Sequence, residues 1–122
     1  MKTTKNIILA GYVENIYHAI KNSKFFVLTS EWEDPGFVLM ESAIIGTPII
    51  SSDCESGPRE LIKENVNGFV FKSNDLENFL EKFELYKNID IKKLKKIVLQ
   101  AKLLAKKFTI FSHFKTLDNL LI

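Results

Sequence analysis

The stretch that decides the fold covers residues 30–61, SEWEDPGFVLMESAIIGTPIISSDCESGPREL. It opens with three acidic residues in four positions, continues through a Pro-Gly step and enters an apolar segment interrupted by Glu41. The segment at 36–45 is long and apolar enough for a buried helix, whereas the short apolar runs at 25–28 and 48–51 predict buried strands. The glycine that follows the helix suits a left-handed C-terminal cap. The stretch therefore predicts a strand–helix–strand unit with a carboxylate inside its helix.

Short apolar runs alternate with helical patterns on both sides of this stretch. Asn74 is the expected cap of one such helix. Alternation of this kind predicts a Rossmann-like α/β fold, a parallel sheet with flanking helices, followed by a helical C-terminal tail. We divide the chain into a Rossmann-like domain at 1–88 and C-terminal helices at 89–122 that pack on it. The further strands are predicted at 7–10 and 69–71, and the further helices at 15–22, 59–63, 75–86, 91–107 and 110–120.

The composition bounds the class of protein. The chain has 122 residues, of which 46% are hydrophobic and 26% charged, and its net charge is +2, which suits one globular domain. Its single cysteine, Cys54, excludes an intrachain disulfide and fits a reducing compartment. The apolar run at 7–10 is too short for a signal sequence, and no window approaches the roughly 18 apolar residues of a membrane span. We expect a cytoplasmic location.

A helix that starts just after the acidic residues would form an anion-binding end. Asp34 suits the N-cap, where it contributes about 1 kcal/mol over alanine, and Pro35 suits the first helical position. Gly36 would let a ligand approach the backbone closely. The free N–H groups and the positive dipole end of such a helix attract phosphate. Because ligands of open α/β sheets lie outside the carboxyl ends of the strands, residues 29–34 and 51–57 form the candidate site.

Glu41 lies about two turns into the predicted helix, among apolar residues, including Ile44, that we expect to be buried. A buried carboxylate without a hydrogen-bond donor costs several kcal/mol, and a pair of ligand hydroxyls would supply such donors. The alternative is that Glu41 is solvated on a half-buried helix and that Glu31, Glu33 and Asp34 are ordinary loop charges. Taken one residue at a time, the residues favour this alternative.

Five segments follow one another in an order and at distances that carry more information than any single residue. They are GYVENIYHAIKNSKFFVLTS at 11–30, EDPGFVLMES at 33–42, GTPIISSD at 46–53, SGPREL at 56–61 and NVNGFVFKSNDLENFL at 65–80. Glu33 and Glu41, with seven residues between them, follow a strand directly. This series resembles the retaining GT-B glycosyltransferases of family 4 (glycosyl transferases group 1). The resemblance covers most of residues 7–86 and implies part of their C-terminal, nucleotide-sugar-binding domain at 1–88, without its first strands.

The resemblance implies a role for each matching residue. Glu33 would reach the donor sugar's hydroxyls near the transferring carbon, as the catalytic residue, and Glu41 would bond to the ribose hydroxyls of the nucleotide. The backbone around Pro35, Gly36 and Phe37 would lie against the sugar and the diphosphate. Three further residues either complete this pocket or simply begin the next helix. The donor-binding set is Glu33, Asp34, Pro35, Gly36, Phe37 and Glu41, and the further pocket candidates are Ser56, Gly57 and Arg59.

The resemblance also implies what the site lacks. The family uses no catalytic metal, so we expect no cofactor, and His18 and His113 are too far apart in sequence to suggest a metal site. A complete enzyme of the family has an N-terminal acceptor domain and a basic pair that grips the diphosphate, which Lys2 and Lys5 do not match. We therefore expect a truncated chain or one piece of a split enzyme, with an acceptor domain supplied elsewhere. Little turnover is expected from this chain alone.

The function that follows is the donor-binding part of a retaining enzyme that moves a hexose or hexosamine from a nucleotide sugar to a glycan or lipid-linked acceptor. The alternative is a non-catalytic module, left from a truncated or split enzyme, that binds a nucleotide, a nucleotide sugar or another protein. A nicotinamide-dinucleotide site is not indicated, because no G-x-G-x-x-G follows any predicted strand.

The predicted helix at 91–107 carries apolar residues on one face and seven lysines on the other. Such a face contacts a membrane surface or nucleic acid, or it is simply solvated, and the solvated alternative is the more common. We expect no nucleic-acid partner. A weak peripheral contact with the inner face of the membrane through Lys92–Lys107 remains an open alternative.

Overall fold

The computed structural model describes residues 6–109 of the chain. Helices and short strands alternate along it, as the sequence predicts. The elements in chain order are α1 (Ile16–Asn22), β1 (Phe26–Leu28), α2 (Phe37–Ile45), β2 (Ile49–Ser52), α3 (Pro58–Leu61), β3 (Phe69–Phe71), α4 (Leu76–Asn88), α5 (Ile91–Ala105) and a 3-10 turn (Lys106–Phe108).

The three strands form one parallel sheet in the order β1-β2-β3. Phe26 pairs with Ile49 in the first ladder, and Ile50 pairs with Phe69 in the second. All four residues of the central strand β2 are buried, because helices cover both faces of a parallel sheet. The predicted α/β class with a parallel sheet and flanking helices is confirmed.

Two apolar clusters lie on opposite faces of the sheet, because neighbouring residues of a strand point to opposite sides. Ile49 packs with α2, α3 and the second half of α5. Ile50 packs with β3, α4 and the first half of α5. The helix α5 therefore contributes to both clusters and closes the core. The buried members are Leu39, Ala43, Ile49, Leu61, Ile62, Ala101 and Ala105 in the first cluster and Ile50, Phe69, Phe71 and Ile97 in the second.

The predicted strand at 7–10 is wrong. These residues form no ladder with any described strand, and the side chains of Ile8 and Leu9 are 87% and 88% exposed. An apolar run becomes a strand only where a neighbouring strand pairs with its N–H and C=O groups, and residues 6–109 bring none to this run. The predicted helix at 110–120 lies outside the described residues, and the division at residue 88 stays a prediction.

The ends of two helices test the predicted caps. Gly46 ends α2 in the left-handed conformation, with φ of 94°, as predicted. Asn74 does not cap α4, because it takes a left-handed turn with φ of 60° one residue too early. Asp75 is the cap instead, and its carboxylate accepts a hydrogen bond of 2.9 Å from the backbone N–H of Asn78.

A buried hydrogen bond fixes α1 against the turn that follows α2. The Thr47 hydroxyl donates to the backbone carbonyl of Ile20 at 2.8 Å, and the Ile20 side chain is 4% exposed. A hydrogen bond of this kind makes a net contribution of about 1 kcal/mol to stability, and breaking it leaves a buried polar group unpaired. The orientation of α1 relative to α2 is therefore well defined.

The loop after β2 packs very closely against the loop before α2 at Gly57. Gly57 has φ of 33°, and a Cβ added to it would overlap the carbonyl oxygen of Pro35 and lie 2.9 Å from the carbonyl carbon. A side chain at this position would push the two loops apart. The contact between these loops therefore depends on glycine at position 57.

We expect Gly57→Ala to lower the free energy of unfolding by about 1–3 kcal/mol, because the added methyl group forces the backbone to shift. The matched control is Gly11→Ala, since Gly11 also has a positive φ, of 63°, but no atom lies within 4 Å of an added Cβ. That control should cost about 1 kcal/mol or less. Urea unfolding of both variants measures the difference, and equal losses would contradict a steric role for the contact with Pro35.

Candidate functional site

Two loops leave the carboxyl end of the sheet side by side. Beyond the last paired residues of the strands, Trp32 still bridges to Glu55 in a parallel manner. The Ser52 hydroxyl donates to the backbone carbonyl of Ser30 at 2.6 Å. These links keep the acidic loop at 29–36 beside the loop at 53–57, at the edge of the sheet where ligands of such folds bind.

Glu33 lies in the first of these loops and is half-buried. The Ser30 hydroxyl donates a hydrogen bond to its Oε1 atom. A Cβ placed on Gly36 would meet the Cβ, Cγ and Oε2 atoms of Glu33 at 3.6 Å, so the carboxylate lies directly beside the Gly36 backbone. The structure thus brings the predicted catalytic carboxylate to the start of α2.

The start of α2 differs from the predicted one. The helix begins at Phe37, Gly36 is the cap in a left-handed conformation with φ of 76°, and no side chain caps this end. Asp34 lies two residues before the cap and is exposed, so its carboxylate does not take the predicted capping role. Glycine is needed at the cap because of its positive φ, which a side chain strains.

The uncapped end still suits an anion. The N–H of Leu39 bonds to the Gly36 carbonyl at 3.0 Å, so the first turn is closed. The N–H groups of the residues before Leu39 donate to no capping side chain at this end of α2. The positive end of the helix dipole increases their attraction for an anion. Phe37 is 70% exposed at the same end. The helix start therefore has Gly36 rather than Asp34 as its cap, and phosphate binding at this end stays a prediction.

Glu41 is half-buried, a little more than one turn into α2 rather than two. Its Oε1 atom accepts a hydrogen bond of 3.1 Å from the hydroxyl of Tyr17 on α1. A ligand or a water molecule was the expected donor, and sequence reasoning missed Tyr17. The two residues are 24 apart, so no local pattern links them, and only the packing of α1 on α2 shows the contact.

A cleft of about 290 Å³ opens beside this pair. It is lined by Tyr17, Glu41, Ile44 and Ile45. Ile44 is 56% exposed, so the expectation that it is buried is wrong, because it faces this cleft rather than the sheet. The cleft therefore has almost entirely apolar walls and lies beside the Tyr17–Glu41 pair.

The loop at 53–57 contributes mainly backbone atoms, rather than charged side chains, to the candidate site. Ser56 has a positive φ of 62°, and Gly57 touches Pro35 as described above. The guanidinium of Arg59 is held by its own loop, because Nε donates to the Asp53 carbonyl at 2.7 Å and Nη1 lies 3.6 Å from Glu55. Of the three predicted pocket residues, Gly57 lies next to the start of α2, Ser56 precedes it in the loop, and Arg59 is tied to Asp53.

Residues 6–109 contain no group of three histidine, cysteine or acidic side chains placed to hold a metal ion. His18 instead shares a hydrogen bond of 3.0 Å with Asn22, and Cys54 is buried. The other histidine, His113, lies outside the described range. No helix within this part of the chain is long and apolar enough to cross a membrane.

Comparison with known proteins then decides the family. Residues 1–104 match the sequence profile of the family described as glycosyl transferases group 1. The chain belongs to this family. The match covers both loops, α2 and most of α5.

Two bacterial glycosyltransferases have sequences related to that of this chain. Over 65 residues the chain is 38% identical to the lipopolysaccharide 1,6-galactosyltransferase of Salmonella typhimurium, covering 53% of this chain and 18% of that protein. Over 87 residues it is 26% identical to the poly(ribitol-phosphate) alpha-N-acetylglucosaminyltransferase of Staphylococcus aureus, covering 71% and 18%. The chain spans about a fifth of the length of these relatives.

Solved glycosyltransferase structures share the fold of this group 1 chain. A mutant of S. aureus TarM in complex with Fondaparinux, alpha-GlcNAc-glycerol and UDP superposes with a TM-score of 0.81 at 24% identity, over 94% of this chain and 23% of that one. Anabaena HepE in complex with UDP superposes with a TM-score of 0.71 at 21% identity, over 84% and 28%. The likeness shows that the described sheet and helices have the α/β architecture of GT-B glycosyltransferases.

The contact between Tyr17 and Glu41 predicts an altered titration of the phenol. The hydrogen bond to Glu41 and then its negative charge, with a smaller effect of burial, raise the pKa of Tyr17 above 10.0. Because the folded-state pKa is raised, the stabilisation by the neutral phenol is complete below pH 10 and is lost as the pH rises through the raised value. NMR titration of labelled tyrosine rings should show this pKa fall in Glu41→Ala.

Tyr86 is the internal control for this titration. Burial raises the pKa of Tyr86, and its hydroxyl bonds to the Lys24 carbonyl rather than to a carboxylate. Its titration should therefore not respond to Glu41→Ala. An unchanged pKa of Tyr17 in that variant would contradict the contact.

Proposed function

We propose that this chain is the donor-binding part of a retaining glycosyltransferase of family 4. It would move a hexose or hexosamine from a nucleotide sugar to a glycan or lipid-linked acceptor. The observation that carries the proposal is the arrangement around α2, with one carboxylate beside its uncapped N-terminus and a second just over a turn along it. Membership of the family and the UDP in the similar HepE and TarM structures support the choice of ligand.

The start of α2 is the proposed place of the diphosphate. Backbone N–H groups at Phe37 and Val38 and the helix dipole favour an anion there. Phe37 is exposed at this end, whereas Gly36 is buried beside the Glu33 side chain and Gly57 is buried against the Pro35 carbonyl. Asp34 and Pro35 precede the helix as the outer wall of this end.

The two glutamates would each bind a different part of the donor beyond its diphosphate. Glu41 would accept hydrogen bonds from the ribose hydroxyls of the nucleotide, and Glu33 would accept them from hydroxyls of the sugar near the transferring carbon. In the reaction, the bond between that carbon and the diphosphate breaks and the nucleoside diphosphate leaves. The oxygen of an acceptor hydroxyl bonds to the carbon with the same anomeric configuration, and its proton passes to the leaving diphosphate. We propose no metal or cofactor, because carboxylates and N–H groups alone account for these contacts.

The acceptor side of the reaction is proposed to come from an N-terminal acceptor domain. Within the loops at 29–36 and 53–59, Arg59 is the one basic residue, and it is tied to Asp53 and Glu55. A leaving diphosphate needs positioned cations for its transition state. We therefore propose that this chain binds the donor weakly by itself and that full turnover needs both the acceptor domain and the basic pair on the first strands of the donor domain.

Glu41→Ala should weaken binding of the nucleoside diphosphate about tenfold or more, because hydrogen bonds to a charged group contribute about 1.5–3 kcal/mol. NMR titration of the purified chain with UDP, GDP and their sugar conjugates measures this and reaches weak affinities. Glu33→Ala should leave the affinity for the free nucleotide unchanged. It should remove only the extra affinity that the nucleotide sugar has over the free nucleotide.

The matched control is Glu77→Ala, which removes an exposed carboxylate from the first turn of α4 rather than from α2. Equal weakening by Glu77→Ala and Glu41→Ala would contradict a ribose contact. Binding without any transfer after addition of an acceptor domain would favour the non-catalytic alternative.

We also propose a weak peripheral contact of α5 with the cytoplasmic face of a membrane. No salt bridge within residues 6–109 involves Lys92, Lys93, Lys95 or Lys96. Leu99 and Leu103, 53% and 46% exposed, follow on the outer side of the same helix. A basic helix with exposed apolar residues is attracted to anionic lipid, and each lysine near the surface contributes about 1 kcal/mol.

Lys92→Glu with Lys96→Glu should abolish sedimentation of the chain with vesicles that contain anionic lipid, because the attraction becomes repulsion. Vesicles of zwitterionic lipid alone should not bind the unmodified chain. Reversal of Lys82 is not a suitable control, because it pairs with Glu64 at 3.0 Å, whereas Lys21→Glu on α1 changes an exposed charge away from α5. Equal loss with Lys21→Glu would contradict a specific role for α5.

A further inference from the structure

We infer that Tyr17 is a positioning residue for the donor, and that its hydroxyl holds one oxygen of Glu41 so that the other oxygen faces the ribose diol. The inference rests on the proposed function, because it assigns a task within the same site. The bond from the Tyr17 hydroxyl to Glu41 Oε1, at 3.1 Å, is the observation that carries it.

The phenol is held by a rigid support. Tyr17 lies one turn before Ile20 on α1, and Ile20 is both buried and bonded through its carbonyl to Thr47. Thr47 itself lies in the turn that joins α2 to β2, so the support of Tyr17 belongs to the same unit as Glu41. A positioning group needs this kind of fixed backbone, because small displacements of a binding group reduce affinity strongly.

The geometry leaves the second carboxylate oxygen for a ligand. Among residues 6–109, no described side chain donates to Glu41 Oε2, whereas Oε1 is occupied by Tyr17. The cleft of about 290 Å³ lies beside the same two side chains, between Ile44 and Ile45. A carboxylate that rotates freely would lose conformational entropy when it binds a diol. The phenol already restricts this rotation in the free protein, so less entropy is lost on binding.

Packing alone does not account for Tyr17. Its side chain is 52% exposed, so the ring contributes less to the core than the neighbouring Ile20 does. The carboxylate also acts back on the phenol, as its raised pKa shows. The pair is therefore coupled electrostatically as well as by contact.

The test compares Tyr17→Phe with Tyr86→Phe. Each removes one phenol hydroxyl that makes one hydrogen bond, to Glu41 in the first case and to the Lys24 carbonyl at 2.7 Å in the second. The 122-residue chain and both variants are titrated by NMR with the nucleoside diphosphate that the unmodified chain prefers, UDP or GDP. The same titrations use the 2′,3′-dideoxy form of that nucleotide, which has no diol for Glu41.

We expect Tyr17→Phe to weaken binding of the ribonucleotide about tenfold and to leave binding of the dideoxy form unchanged, because only the diol uses the oriented carboxylate. Tyr86→Phe should change neither. The ratio of the two affinities is the decisive readout, since a loss of stability or of packing would lower both affinities together.

Equal weakening of both nucleotides by Tyr17→Phe would overturn the inference, and so would no weakening of either. In both cases the proposed function stands if the unmodified chain prefers the ribonucleotide and Glu41→Ala removes that preference. If the unmodified chain binds neither nucleotide, the proposed donor site fails and the inference about Tyr17 fails with it.

Discussion

The shared register of β1 and β2 is the constraint on which the rest of the structure depends. Phe26 pairs with Ile49, and Trp32 pairs with Glu55 in the same register beyond the ends of both strands. The two loops therefore leave the sheet in step, and the acidic loop meets Gly57 at Pro35. A slip of one residue would turn the buried side chains of the strand to the opposite face and separate the loops. The position of Glu33 beside α2 thus depends on the register of the sheet as well as on the conformation of the loop.

The charge of the site is distributed in an unusual way for a place that would hold a diphosphate. The loops at its edge are acidic, and Arg59, their one basic residue, is bound to its own loop. The attraction for an anion therefore comes from backbone N–H groups and the dipole of α2, which act over about one turn. Such a site would fix the position of a bound anion but contribute little to the free energy of binding. A diphosphate at this site would therefore need further cations, which the resemblance assigns to a basic pair on the first strands of the donor domain.

The fold was largely predictable because parallel strands of this kind are dense in apolar residues. The runs at 25–28 and 69–71 and the glycine at the end of α2 are confirmed because their local patterns agree with their surroundings. The run at 7–10 has the same pattern but no neighbouring strand within the described residues, and a local pattern carries no information on pairing partners. The cap of α4 was misplaced by one residue, because Asn74 and Asp75 are both good caps and only the turn geometry selects between them.

Candidate site residues could be named from the sequence, but their contacts could not. The ordered series of segments pointed to Glu33 and Glu41, and the structure places the first beside Gly36. The contact of Glu41 with Tyr17 joins two helices across 24 residues, which no periodicity reports. The start of α2 was misjudged because Asp34 and Pro35 are favourable at a helix start in general, whereas the left-handed Gly36 takes that place here.

The exposed indole of Trp32 has a practical consequence. It is the only tryptophan of the chain, it is 65% exposed, and its backbone forms the bridge that holds the two loops together. Its fluorescence therefore comes from one known place, between Glu31 and Glu33. Any event that changes water access or charge at that loop alters the emission of a single fluorophore, without labelling and without a background from the core.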